Sequence, residues 1–161
     1  MHTRSSSPSP GAGARKRPRW IEELRTFAYG QLGEPFVWGR TDCHALATRA
    51  LDVMTGQDYC ARIRDRYQGL RSALRVIAEI DEFDDQLEAE GGYQTLKPEF
   101  GDFVIYSRLD GVKWWRHRVP ALCLGGGRVI LPVHSAEAIG LAPLYAIGRI
   151  HRVLRVPCLK Q

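Results

Sequence analysis

Four cysteines and five histidines supply most of the nucleophile and base chemistry open to this 161-residue chain. Cys43, Cys60, Cys123 and Cys158 stand far apart and form no C-x-x-C pair, so their spacing offers no zinc cluster. Cys43 has the most informative neighbourhood. It follows Phe36-Val37-Trp38-Gly39-Arg40-Thr41-Asp42 and opens a segment where Cys43, Leu46, Ala47, Ala50, Leu51 and Met54 recur at helical spacing. That pattern is one apolar stripe with the thiol at its N-terminal end. Unpaired N–H groups and the positive end of the helix dipole stabilise a thiolate there, so a depressed Cys43 pKa is expected. A neighbouring imidazole would complete a thiolate–imidazolium nucleophile. The competing reading is plain: a cysteine on an apolar stripe also serves as core packing. Cys60, Cys123 and Cys158 lie in or beside apolar runs and read as inert packing residues.

The elements that must position Cys43 are legible from periodicity. Trp20, Leu24, Phe27 and Ala28 predict a first helix ending near Gly30 or Gly33. Glu34 to Arg40 reads as an extended approach. A second helix is predicted from Thr41 to Gly56, with Thr41 or Asp42 as N-cap and Gly56 as its stop. Residues 57–69 read as a loop with a short helix, and Ser72–Glu79 as a further helix. The acidic run from Glu79 to Glu90 lacks His or an ordered Asp-x-Asp pattern and reads as a solvated helix face, not a metal site. Strands are predicted at Phe103–Tyr106, Val119–Leu124, Arg128–Val133 and Ile147–Val156, with turns at Asp110-Gly111 and Gly125-Gly126-Gly127. Helices followed by an antiparallel sheet make an α+β fold.

Charge placement narrows the partners. The net charge is +5, yet Arg4, Arg15, Lys16, Arg17 and Arg19 lie in the first nineteen residues, where no acid occurs. The remainder has 23 − 5 = 18 basic and 18 acidic residues. Residues 1–19 therefore read as a disordered basic arm, and residues 20–161 as a single neutral domain. Neutrality argues against nucleic-acid binding by the domain; Trp114-Trp115-Arg116-His117-Arg118 reads instead as a protein contact or a groove wall. No stretch approaches the roughly 20 apolar residues of a membrane span, and no secretory signal is visible. Reduced thiols are the working expectation.

The run from Phe36 to Cys43 resembles the aromatic-x-Trp-Gly…Asp-Cys signature of the NlpC-type cell-wall peptidases, which are papain-like. In those enzymes the Cys opens a helix packed on an antiparallel sheet, and Gly-Asp begins the first core strand, as Gly101-Asp102 does here. The resemblance is closer still to short phage and prophage tail-associated proteins related to them. It runs through Met54-Thr55-Gly56-Gln57-Asp58, Arg64-Asp65-Arg66-Tyr67 and Gly140-Leu141-Ala142-Pro143-Leu144, and covers most of residues 34–153.

The resemblance implies Cys43 as nucleophile, a strand histidine as base, and no cofactor. Aligned on Leu124-Gly125, the family's histidine position holds Val119, with His117 two residues upstream. His117 is thus the first candidate partner, and His134 matches the residue that orients the imidazole. His44 points about 100° away from Cys43 on the helix and is a poor base. Two functions stay open: a cysteine hydrolase acting on peptidoglycan peptide, and an inert phage-tail component that keeps the fold for docking on other tail proteins. Either implies cytoplasmic synthesis and a place in the virion.

Overall fold

The computed structural model describes residues 13–108, 117–133 and 136–158. Among the described residues, four α-helices precede the sheet: α1 (Trp20–Gln31), α2 (Cys43–Thr55), α3 (Leu70–Ile80) and α4 (Phe83–Ala89), with a 3-10 turn at Tyr59–Arg62 between α2 and α3. The strands are β1 (Tyr93–Gln94), β2 (Phe103–Ser107), β3 (Val119–Gly125), β4 (Arg128–Val133), β5 (Ala138–Pro143) and β6 (Arg149–Arg155). They form one antiparallel sheet in the order β1-β6-β2-β3-β4-β5. The expected α+β class is what the chain adopts.

α2 begins and ends for the reasons its sequence implies. The Asp42 carboxylate accepts the Ala45 N–H at 3.0 Å, and Gly56 closes the helix at φ 74°. Such a cap contributes about 1 kcal/mol. Leu46, Ala47, Ala50 and Met54 pack with Leu24 and Ala28 of α1 against Phe103, Ile105, Leu122, Ile130 and Leu154. Each large side chain buried there contributes roughly 1.5–3 kcal/mol. The alternate strand residues Val104, Ala121, Cys123, Val129, Leu131 and Val153 form a second cluster with Ile147. Strand alternation therefore assigns even-numbered β3 residues to the α2 side of the sheet and odd-numbered ones to the other.

Four expectations are corrected. The ordered chain begins before Trp20. Ala14 is fully buried and its N–H donates to the Glu90 carbonyl, Lys16 pairs with the backbone of Cys158, and the Lys16 ammonium sits 4.0 Å above the Trp20 ring. A cation over an aromatic face is a contact that composition does not reveal. The acidic run is not wholly solvated, because Asp84 is buried and bridges Arg118 at 2.9 Å and Arg152 at 3.2 Å. The sheet has two strands beyond the four expected: β1 is only two residues long, and β5 carries Gly140 and Pro143, residues that weaken a strand pattern. Finally, Cys158 is exposed, since it lies beyond the end of β6. The Asp110-Gly111 turn, Trp114, Trp115 and Arg116 lie outside the described residues.

Candidate active site

The approach to Cys43 is held by backbone pairing and one carboxylate. The Gly33 and Phe36 N–H groups donate to Ile139 and Glu137, and Ile139 donates back to Glu34, so residues 33–36 extend the sheet beyond β5. Thr41 then fastens the turn: its hydroxyl donates to the Pro35 carbonyl and accepts from the Val37 N–H, both at 2.7 Å. Gly39 has φ 80°, and a Cβ there would come within 3.2 Å of the Tyr67 carbonyl, which explains a glycine at this position. Asp42 is buried and fully engaged. Besides Ala45 it accepts the Gly39 N–H at 2.6 Å, and the Tyr67 hydroxyl lies 3.1 and 3.0 Å from its two oxygens.

These contacts give the quoted motifs a physical role. Tyr67 of Arg64-Asp65-Arg66-Tyr67 grips Asp42, while Arg64 pairs with Asp58 at 2.8 Å, the aspartate that follows Met54-Thr55-Gly56. One short segment thus ties the start of α2 to the turn that follows its end. Gly101-Asp102 is structural as well. Asp102 is fully buried, and Arg155 donates to both its oxygens at 2.8 Å.

Cys43, His44 and His117 line one cavity, together with Asp42, Glu82, Arg108 and Arg118. Its remaining wall is mostly apolar: Phe36 and Trp38 from the entry turn, Leu70, Ala73, Leu74 and Ile77 along one face of α3, and Tyr106, Val119, Pro120 and Pro132 from the sheet. Phe36 and Trp38 meet edge to face with centroids 5.0 Å apart.

The expected depression of the Cys43 pKa is overturned. Burial, followed by the adjacent Asp42 charge, pushes the thiol up to about 12. The N–H groups of His44 and Cys43, and the Arg108 cation, pull it down by less. Asp42 is satisfied by neutral donors, so its charge still acts on the sulfur. With its pKa raised that far, the resting thiol is protonated at neutral pH.

Among the expected bases, His117 is exposed in the bend before β3 and opens into the Cys43 cavity. His134 lies outside the described residues. His44 shares the cavity but is buried, edge-on to Phe83 at 5.9 Å, and burial lowers its pKa against the opposing pull of Asp42. The one histidine on the described strands, His151 of β6, pairs with the Ser107 hydroxyl at 2.7 Å and does not line the Cys43 cavity. Val119 packs with the cluster on the far side from α2. On the α2 side stand Pro120 and Pro132, which continue the β3–β4 register of Leu122 with Ile130. Glu82 and Arg108 were not anticipated; Glu82 was hidden in the acidic run, and Arg108 follows a strand with no motif to mark it.

Solved structures share this architecture. The NlpC/p60 domain of the peptidoglycan hydrolase SagA aligns with a TM-score of 0.51 at 17% identity, over 84% of this chain and 98% of that one. The P60 domain of an antigen from M. avium subspecies paratuberculosis gives 0.53 at 18%, covering 88% and 97%. The peptidoglycan hydrolase RipB from Mycobacterium tuberculosis gives 0.56 at 18%, covering 94% and 73%. The fold is therefore that of NlpC/p60 domains. By sequence, residues 15–153 match the family described as Domain of unknown function (DUF6950), and the chain belongs to that family. A search of curated proteins finds no match.

Proposed function

We propose that this protein is a cysteine hydrolase of cell-wall peptide that works as part of a phage tail, with Cys43 as nucleophile and His117 as base. The observation carrying this reading is the opening of Cys43, at the head of α2, into a cavity shared with His117 on an NlpC/p60 fold. The tail association and the substrate rest on the motif resemblance from Phe36 to Leu144.

The chemistry follows from the positions. The thiol proton passes to the His117 imidazole as the sulfur bonds to the scissile carbonyl carbon, and the carbonyl electron pair moves onto oxygen. The backbone N–H groups of Cys43 and His44, already directed at the sulfur, stabilise that oxyanion. Collapse breaks the C–N bond, the imidazolium returns its proton to the leaving amine, and a thioester remains on Cys43. Water, deprotonated by the same imidazole, then releases the acid and restores the thiol.

Purified peptidoglycan incubated with the full chain, with soluble fragments read by mass spectrometry, tests the proposal. Fragments carrying a new amine and carboxylate are expected from the wild type and not from Cys43→Ala. No release by the wild type, or equal release by both, contradicts it. The second reading, an inert tail component that docks on neighbouring tail proteins, draws support from Pro120 and Pro132 on the sheet face and from the protonated thiol.

A further inference from the structure

We propose that Glu82 is the positioning residue that holds the His117 imidazole toward Cys43 from the helical side of the cavity. The proposal rests on the cysteine-hydrolase reading above and goes beyond it in naming the orienting group.

The first observation is the sheet wall: among the described residues, Pro120 and Pro132 line the cavity on the α2 side of β3 and β4, and neither side chain can hold an imidazole. Second, Glu82 occupies the N-cap position of α4 without a capping hydrogen bond and lines the Cys43 cavity. Third, the bend bearing His117 is docked beside it: Arg118 pairs with Asp84 at 2.9 Å and Asp85 at 3.6 Å, two and three residues beyond Glu82. Fourth, the linker aiming Glu82 is strained. Asp81 sits at φ 72°, ψ 160°, a region that favours glycine, with its carbonyl fixed by the Gln86 side chain at 2.7 Å. Such strain costs about 1–3 kcal/mol and persists where the surroundings impose it.

Electrostatics agree with the geometry. Burial raises the Glu82 pKa, and the largest opposing influence is the charge of His117. The other charged or titratable groups at this end of the cavity are Asp84 and Asp85 on α4, Arg118 beside His117, Tyr106 of β2 with Arg108 just beyond it, and Asp42, Cys43 and His44 at the start of α2. A carboxylate that accepts one ring N–H fixes the tautomer and leaves the other nitrogen to take the thiol proton.

The test uses the full chain with 15N-labelled histidine, and Glu82→Gln and Glu82→Asp variants. Long-range proton–nitrogen spectra report which ring nitrogen of His117 carries the proton, and peptidoglycan turnover is measured in parallel. One dominant tautomer is expected in the wild type, a mixture in Glu82→Gln, and partial recovery in Glu82→Asp. Turnover should fall about tenfold or more in Glu82→Gln, the size of loss typical when a partner that orients a functional imidazole is removed. An unchanged His117 spectrum in a folded Glu82→Gln protein overturns the inference, whether or not the wild type turns over. Loss of turnover in Cys43→Ala and His117→Ala, but not in Glu82→Gln, would also overturn it and leave the hydrolase reading standing.

Discussion

Asp42 and Asp102 are both buried, both sit in motifs at the start of an element, and are held in opposite ways. Asp102 is clasped by the Arg155 guanidinium, whose Nε and Nη2 each donate at 2.8 Å, and Glu99 also donates its N–H to it. Asp42 is held by two backbone N–H groups and the Tyr67 hydroxyl, all neutral. The first arrangement cancels a charge, and the second places one and leaves it acting. That difference separates a structural clamp from a site: the uncancelled charge of Asp42 is the second-largest cause of the raised Cys43 pKa.

The largest effect should come from the clamp. Asp102→Asn removes the buried carboxylate of the Arg155 pair and leaves only the exposed Glu99 carboxylate at 3.1 Å, so it should lower stability by about 3 kcal/mol in urea unfolding, as broken buried pairs do. Asp42→Asn, which removes a charge met only by neutral donors, should cost about 1 kcal/mol. A larger loss at Asp42 than at Asp102 would break the comparison.

The thiol supplies a pH signature of similar size to the smaller loss. Its pKa rises from 9.0 to about 12 on folding, so the folded state favours the neutral thiol. That contribution is complete below about pH 9 and is lost as the unfolded chain ionises between about 9 and 12. By pH 10 the loss should reach about 1 kcal/mol in wild type relative to Cys43→Ala. Parallel stability curves for the two proteins over this range would remove the raised thiol from the account.

Strain beside the site gives a third contrast. Asp81→Gly should raise stability by about 1 kcal/mol in thermal unfolding while lowering turnover, because it relaxes the linker that aims Glu82. The smallest effect is kinetic. Asp42→Asn should speed alkylation of Cys43 by iodoacetamide severalfold at pH 8, and Asp102→Asn should not. Equal rates in the two variants would show that Asp42 has no hold on the sulfur.

Much of the fold was legible because periodicity records which face is buried. α2 matched its expected span because Leu46, Ala47, Ala50, Leu51 and Met54 join the core shared with the sheet, with Asp42 and Gly56 marking its ends. β4 coincided with Arg128–Val133 for the same reason. β5 escaped because its backbone pairs with β4 while Gly140 and Pro143 dilute the side-chain pattern. The site was half legible. The position of Cys43 follows from local signals, but its acidity depends on burial by α3 and the sheet, which no window around residue 43 contains. Strand alternation likewise decides that Pro120 rather than Val119 faces α2, and that is known only once β3 pairs with its neighbours. Glu82 looked like one acid among seven, and only the fold brings it to the cavity.

The central claim is that the Cys43 sulfur forms the bond to the scissile carbonyl. The most direct test is acid-quenched incubation of the full chain with cell-wall peptide, followed by tandem mass spectrometry of its cysteine-containing peptides. The account predicts a thioester on Cys43 in the wild type and none on Cys60, Cys123 or Cys158. Peptide cleavage that proceeds in Cys43→Ala, or an acyl group found on another cysteine, would contradict it.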